Sequence, residues 1–189
     1  MSWTTGTQTE ALAANTAVGT SFNTFTSAQY IGCPTGAGYL PANFFLPNLG
    51  VGKTILIKAS GTISTTGTPN FTMAVTLNTT QGTYNASGIL ATTAATAQGS
   101  GESSVPWELE VFATCTATGA SGAILANGIW KVYPTGTTLI AARCANSTPN
   151  TPLTISTESA YYVELAGTFS ASSASNAVQV DQVAVLGLN

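Results

Sequence analysis

Histidine is absent from this 189-residue chain, and charged side chains are few: four Lys and Arg against seven Asp and Glu. Histidine is the only side chain whose unperturbed pKa lies near neutrality, and it is the commonest general base and metal ligand. Its absence argues against most hydrolase and metalloenzyme sites. We therefore expect a non-enzymatic protein without a cofactor or a metal, built as a structural or binding module.

Cations are too scarce for a basic surface. Lys53, Lys58, Lys131 and Arg143 do not form the stripe that neutralising nucleic-acid phosphates requires. No apolar run approaches the roughly 20 residues of a membrane-spanning helix. The polar opening at residues 1–5 lacks the basic and apolar regions of a secretory signal. We expect neither a nucleic-acid nor a membrane partner, and synthesis without a cleaved signal.

Cysteine is also sparse. Cys33, Cys115 and Cys144 cannot all pair within one chain, and none has the spacing of a zinc site. Free cysteine usually behaves as a small buried hydrophobic residue. The pattern predicts buried, reduced thiols, since a catalytic cysteine would need the histidine that is missing.

Uncharged polar residues take the place of ions. The chain is 44% hydrophobic and only 6% charged, against roughly 25% charged in an average globular protein. Its surface must therefore be covered by Thr, Ser, Asn, Gln and Gly, which give a free monomer little colloidal repulsion. We expect a homo-oligomer, with a trimer favoured.

Segments rich in β-branched and aromatic residues alternate with Gly, Pro, Asn and Ser turns, which is typical of short antiparallel strands. The predicted strands are 53–64, 71–77, 107–118, 123–133, 138–142, 153–157, 161–170 and 176–188. Alternation places the Thr and Ala residues of 71–77 outward, and in the last strand it places Gln182 on the face of Val178 and Val180. The stretch 78–101 has few large apolar residues and is predicted to be weakly structured.

Eight or more strands without a helical crossover predict an all-β fold, an antiparallel β-sandwich that is jelly-roll-like. Residues 1–18 are expected to form an extended N-terminal arm or loose first strand, and residues 19–189 a single β-sandwich domain. A single core suits a chain of this length. The 107–118 and 123–133 strands, joined by a short Gly-containing turn, form the clearest hairpin.

Paired carboxylates suggest chemistry only superficially. Glu108 and Glu110 lie two residues apart on one strand face, whereas glycosidase carboxylates usually come from different strands around a sugar cleft. We interpret them as a solvated face. We also hypothesise that ion pairs of Glu108, Glu110, Glu164 or Asp181 fix strand register or a subunit contact. The segment 50–54 lacks a phosphate-binding loop pattern because Pro47 stands where Gly is required.

Aromatic residues divide into two groups. Trp107 and Trp130 lie on the inward faces of their strands and are predicted to be core. The others are candidates for a subunit or host-surface contact, with ordinary packing as the alternative. These candidate interface residues are Trp3, Phe44, Phe45, Tyr161 and Tyr162.

Several segments carry a resemblance to a known family. They are Asn43-Phe44-Phe45, Gly52-Lys53-Thr54-Ile55-Leu56-Ile57-Lys58-Ala59-Ser60-Gly61, Thr66-Gly67-Thr68-Pro69, Trp107-Glu108-Leu109-Glu110 and Gly187-Leu188. With them, most of the chain resembles tailed-bacteriophage virion proteins. The motifs are turns and strands, so no catalytic residue comes with the resemblance.

The resemblance implies a β-sandwich capsid decoration or cement protein, or a head or tail accessory protein. We expect a protein at the capsid surface of the virion, assembled in the host cytoplasm, that bridges the major capsid protein lattice. The N-terminal arm could add a strand to a neighbour. The alternative is a carbohydrate- or receptor-binding tail or fibre accessory protein that uses exposed aromatics such as Tyr161 and Tyr162.

Overall fold

Strands dominate the computed structural model, which describes residues 9–14, 18–32, 38–45, 50–135, 138–148 and 150–188. Within these ranges the regular structure is fourteen β-strands and one short 3-10 helix, Ala86–Gly88. The all-β prediction is confirmed over the described ranges. The first strands are β1 Thr9–Ala14, β2 Ser21–Asn23, β3 Gln29–Tyr30, β4 Gly38–Leu40, β5 Thr54–Thr65, β6 Asn70–Asn78 and β7 Ile89–Thr93. The remainder are β8 Thr96–Ala97, β9 Glu102–Ala117, β10 Ala123–Val132, β11 Ile140–Ala145, β12 Leu153–Thr154, β13 Tyr161–Phe169 and β14 Ala177–Leu188.

The strands form one antiparallel sheet that curls around a core. Its order is β1-β14-β5-β9-β10-β11-β7-β6-β13-β3, and the short strands β2, β4, β8 and β12 attach at its sides. Phe71 on β6 contacts Trp130 on β10, with ring centroids 5.6 Å apart, although β11 and β7 separate these strands within the sheet. The two parts of the sheet therefore face each other across the core.

Alternation along the long central strands decides which side chains enter that core. On β5, Ile55, Ile57 and Ala59 are buried, and Trp107 and Trp130 are fully buried, as their patterns predict. Each large apolar side chain buried in this way stabilises the fold by about 1.5–3 kcal/mol. The predicted hairpin of β9 and β10 is also confirmed.

One strand departs from simple alternation. Val178 and Val180 are buried, and so are Val183 and Val185, because a bulge between Val180 and Gln182 inserts one extra residue into β14. The prediction that Gln182 shares the face of Val178 and Val180 is therefore wrong. Gln182 is exposed and points outward.

Residues 78–101 are also more ordered than predicted. They contain β7, which pairs with both β6 and β11, and Leu90 and Ala91 are buried there. The prediction of a weakly structured stretch is wrong because pairing on both sides compensates for the low content of large apolar residues. The outward face of β6 is covered as well, since Ala74 and Thr76 are buried rather than exposed.

A buried carboxylate, that of Glu164, holds the turn at residues 82–83 in place. Glu164 on β13 is 1% exposed and accepts hydrogen bonds from Asn78 Nδ2 at 2.8 Å, from the Thr83 amide at 3.2 Å and from the Gly82 amide. Glu164 is thus held by hydrogen bonds from backbone and side-chain amides, and not by the ion pair that was hypothesised for it. Asp181 accepts from Gln179 Nε2 at 2.6 Å.

The N-terminal region runs along the edge of β14. β1 pairs Thr9 with Leu188, and β2 pairs Ser21 with Gln179, so both strands line the same C-terminal strand. The predicted arm, 1–18, is described only at 9–14 and at residue 18. No helix in the described ranges is long and apolar enough to cross a membrane.

Candidate functional site

Charged side chains gather on the outward face formed by β14, β5, β9, β10 and β11. Three of the four cations lie here, namely Lys58, Lys131 and Arg143, together with Glu108 and Glu110. In a chain that is only 6% charged, this concentration marks the face as different from the remaining surface.

Cross-strand register brings these charges into contact. Lys58 lies opposite Glu110, and their Nζ and Oε2 atoms are 2.9 Å apart. The two side chains are 54% and 43% exposed, so this ion pair stabilises the fold by about 1 kcal/mol at most. Glu108 lies opposite Lys131 on β10. Glu110 therefore forms one of the hypothesised ion pairs, and its role in fixing strand register stays a prediction.

Tyr133, just after β10, orients one of the carboxylates. Its hydroxyl donates to Glu108 Oε2 at 2.9 Å. This hydrogen bond to a carboxylate raises the pKa of Tyr133, and loss of solvation and the negative charge of Glu108 act in the same direction. The carboxylate of Glu108 on β9 is therefore held in place by a residue that follows the neighbouring strand β10.

These residues surround a groove of about 510 Å³ on the outward face. We name it the charged groove and define it by Lys58, Ser60, Glu108, Glu110, Lys131 and Gln182. Gln182 reaches it because the β14 bulge turns that side chain outward, and Ser60 Oγ donates to Gln182 Oε1 at 3.4 Å. Ile129 and Ala184 add apolar surface to the lining.

The same face carries a second, apolar area towards the C-terminal end of β14. Leu186, Leu56 and Phe112 lie side by side on β14, β5 and β9. We name this area the apolar patch and define it by Leu56, Phe112, Leu125, Leu186 and Leu188. Phe112 is 44% exposed and Leu125 is 37% exposed. Adjoining exposed apolar side chains of this kind mark interaction surfaces.

The apolar patch was not predicted from the sequence as a site, although a signal for it is present there. Phe112 and Leu125 occupy the outward phase of two adjacent strands, where polar residues are expected. Only the pairing of β9 with β10 shows that they lie close together, with Leu125 opposite Thr114. Ile129, 37% exposed, lies between the apolar patch and the charged groove.

Two of the predicted interface residues belong to the interior. Phe44 is 8% exposed and Phe45 is 3% exposed, and their rings contact each other with centroids 5.0 Å apart. Lys53 Nζ donates to the Phe44 carbonyl at 2.8 Å and lies 3.9 Å from the centre of the Phe44 ring. These contacts place Phe44 and Phe45 in the core rather than on an exposed interface. Trp3 lies outside the described residues.

Tyr161 and Tyr162 are half-buried and pack against the core at the start of β13. Tyr162 lies opposite Tyr39 on β4, and their ring centroids are 5.3 Å apart. Tyr39 is 47% exposed. The exposed ring of this tyrosine pair belongs to Tyr39, which was not among the interface residues predicted from the sequence.

The cysteine prediction is confirmed for two residues. Cys115 and Cys144 are free and buried. Burial raises the pKa of the Cys144 thiol to about 12, and burial also raises the pKa of Cys115. Both thiols are therefore protonated and unreactive near neutral pH. Cys33 lies outside the described residues.

Comparison of the chain with protein-family models, with curated proteins and with solved structures found no match. Across the described ranges, no three His, Cys, Asp or Glu side chains are grouped so that they could hold a metal ion.

Proposed function

We propose that this protein is a non-enzymatic structural protein of a bacteriophage virion that decorates the capsid and stabilises it by bridging major capsid protein subunits. The apolar patch is the observation that supports this proposal most directly. Phe112 and Leu125 expose large apolar area on a sheet face, and aromatic residues surrounded by polar ones are typical of protein interfaces. The resemblance of the sequence to phage virion proteins supplies the partner.

The composition of the surface suits attachment to a shell. Thr54 and Thr114 lie beside the patch with their hydroxyl oxygens 2.8 Å apart, and such groups can donate to and accept from a partner. Hydrogen bonds between neutral groups depend less on salt than ion pairs do. A bound state held by the patch and these hydroxyls would therefore persist over a wide range of ionic strength.

The same proposal includes a more specific architecture and an oligomeric state. In it, the two facing parts of the curled sheet act as the layers of a jelly-roll-like sandwich, with an N-terminal arm along β14. Three copies associate as a homotrimer on the icosahedral lattice. Light scattering on the purified protein is expected to give the mass of three chains, and a monomer at all concentrations would remove the trimer.

The test uses purified capsids and co-sedimentation. Phe112→Ser and Leu125→Ser together are expected to weaken capsid binding at least about tenfold, since each removes an exposed apolar contact. Val18→Ser is the matched control, because Val18 is 75% exposed but lies outside the patch. Circular dichroism must show the same fold in all variants. Unchanged binding by the folded double variant contradicts the proposed surface.

A second candidate is a carbohydrate- or receptor-binding tail or fibre accessory protein. The tyrosine pair favours it, because Tyr39 is 47% exposed beside Tyr162 and aromatic faces can stack on sugar rings. Tyr39→Ala is then expected to abolish receptor or glycan binding while capsid binding stays unchanged. Uniform labelling of phage heads in electron microscopy would favour decoration instead.

A further inference from the structure

The charged groove has the volume of a small-molecule site. Its volume of about 510 Å³ falls within the range of about 300–1,000 Å³ that is usual for ligand pockets. It lies across three neighbouring strands, β14, β5 and β9, with β10 at its side. Side chains on paired strands hold their relative positions better than those on loops, so the strands set the spacing of the polar groups in the groove.

The charges in the groove cancel. Two lysines, Lys58 and Lys131, stand against two glutamates, Glu108 and Glu110, so the formal sum is zero. Lys58 and Glu110 already contact each other at 2.9 Å. A groove without net charge gives no electrostatic advantage to a phosphate, a sulfate or a polyamine.

Donors and acceptors are nevertheless dense. The lysines donate, the carboxylates accept, and Ser60 and Gln182 do both. The Tyr133 hydroxyl orients Glu108 through a hydrogen bond to its Oε2 at 2.9 Å. Ser60 Oγ donates a hydrogen bond to Gln182 Oε1 at 3.4 Å. A ligand that satisfies such a set must itself carry many groups that donate and accept, without a net charge.

Apolar surface completes the groove. The side chain of Ile129 is 37% exposed, and Ala184 lies on β14 across the groove. Sugar rings present hydroxyls around their edge and C–H groups on their faces, so they match both kinds of surface. We propose that the charged groove binds a neutral saccharide, with Glu108 and Gln182 as its principal hydrogen-bonding residues. This site is separate from the apolar patch and from the tyrosine pair.

The experiment titrates the full-length protein with neutral gluco-, manno- and galacto-oligosaccharides, followed by NMR amide shifts and calorimetry. A sulfated oligosaccharide and spermine serve as charged probes. At least one neutral oligosaccharide is expected to bind at millimolar concentration or below and to shift the amides of residues 58–60, 108–110 and 182. Absence of binding by every neutral probe overturns the proposal, as does binding of the charged probes alone.

Variants locate the site. Glu108→Gln and Gln182→Ala are each expected to weaken saccharide binding about tenfold, since each removes a hydrogen bond to the ligand. Glu158→Gln, at an exposed carboxylate that is not part of the groove, is the matched control and is expected to bind normally. Loss of binding in Tyr39→Ala with retention in Glu108→Gln would overturn the groove assignment.

This result is separable from the proposed function. Phe112→Ser with Leu125→Ser changes the apolar patch and is expected to leave saccharide binding unchanged while capsid binding falls. If capsid binding fails in the wild-type protein, the saccharide titration still tests the groove. If saccharide binding fails, capsid co-sedimentation still tests the patch.

Discussion

Gly61 lies at a close approach between β5 and β14, and replacing it with alanine is expected to destabilise the fold strongly. A Cβ atom at this position would lie 2.0 Å from the Gln179 carbonyl oxygen and 2.8 Å from Trp107 Cζ2. The indole is fixed there because its Nε1 donates to the carbonyls of Thr62 and Gln179, each at 3.2 Å. A methyl group must therefore displace both the β14 backbone at Gln179 and the indole ring.

The magnitude follows from these contacts. Overpacking a core by one carbon costs about 1–3 kcal/mol. Losing the indole hydrogen bond, which one N–H shares between two carbonyls, adds about 1 kcal/mol. We expect Gly61→Ala to lower the free energy of unfolding by about 2–4 kcal/mol, which lowers Tm by about 10 °C in a domain of this size. Urea unfolding followed by tryptophan fluorescence and thermal unfolding followed by circular dichroism measure the two quantities.

A neighbouring position on the same strand provides the control. Ser60 points outward, so Ser60→Ala is expected to change stability by no more than about 0.5 kcal/mol. Trp107→Phe replaces the indole with a smaller ring but leaves the contact with the Gln179 carbonyl oxygen. It is therefore not expected to rescue Gly61→Ala. A Gly61→Ala protein as stable as the wild type would refute the close approach, and full rescue by Trp107→Phe would refute the role given to the Gln179 carbonyl.

Three further predictions concern individual polar groups. Below about pH 9 the Cys144 thiol is protonated in both states; above it only the unfolded thiol ionises, because burial raises the folded pKa to about 12 from 9.0. The free energy of unfolding should then fall by about 1.4 kcal/mol between about pH 8 and about pH 10 relative to Cys144→Ala, and equal pH profiles in urea titrations would contradict this. Glu164→Gln should cost about 2–4 kcal/mol, because an amide donor would face the donors of Asn78, Gly82 and Thr83; hydrogen exchange at residues 82–83 should rise, and unchanged protection would argue against the turn being fastened by this carboxylate. Glu108→Gln should lower the pKa of Tyr133, because the main cause of its upward shift is the hydrogen bond to that carboxylate, and an ultraviolet titration with Tyr133→Phe as reference measures it; an unchanged pKa would rule out the contact.

The candidate site shows how far local patterns reach. The sequence placed Glu108 and Glu110 together on one face of a strand, and the structure confirms that face. It did not place Lys58 beside Glu110, because that contact depends on which residues of β5 and β9 lie opposite each other. Register is set by pairing over the whole sheet, which no short segment encodes.

Other features depended on parts of the chain far from the residue concerned. Phe44 and Phe45 follow a short strand and resemble an exposed loop, yet the core has room for them and Lys53 covers Phe44. Gln182 could be placed outward only with knowledge of the bulge opposite β5. Glu164 has no local partner in sequence, since its donors lie in a turn that precedes β7.

The amino-acid sequence by itself determined the long strands β5, β9 and β10, their inward and outward faces and the burial of Trp107 and Trp130, because side chains alternate with a period of two and apolar ones leave water. Only the tertiary structure decided the strand order, the register and therefore the apolar patch and the charged groove. Both surfaces combine residues from strands distant in sequence. Their positions depend on closing the sheet around one shared core.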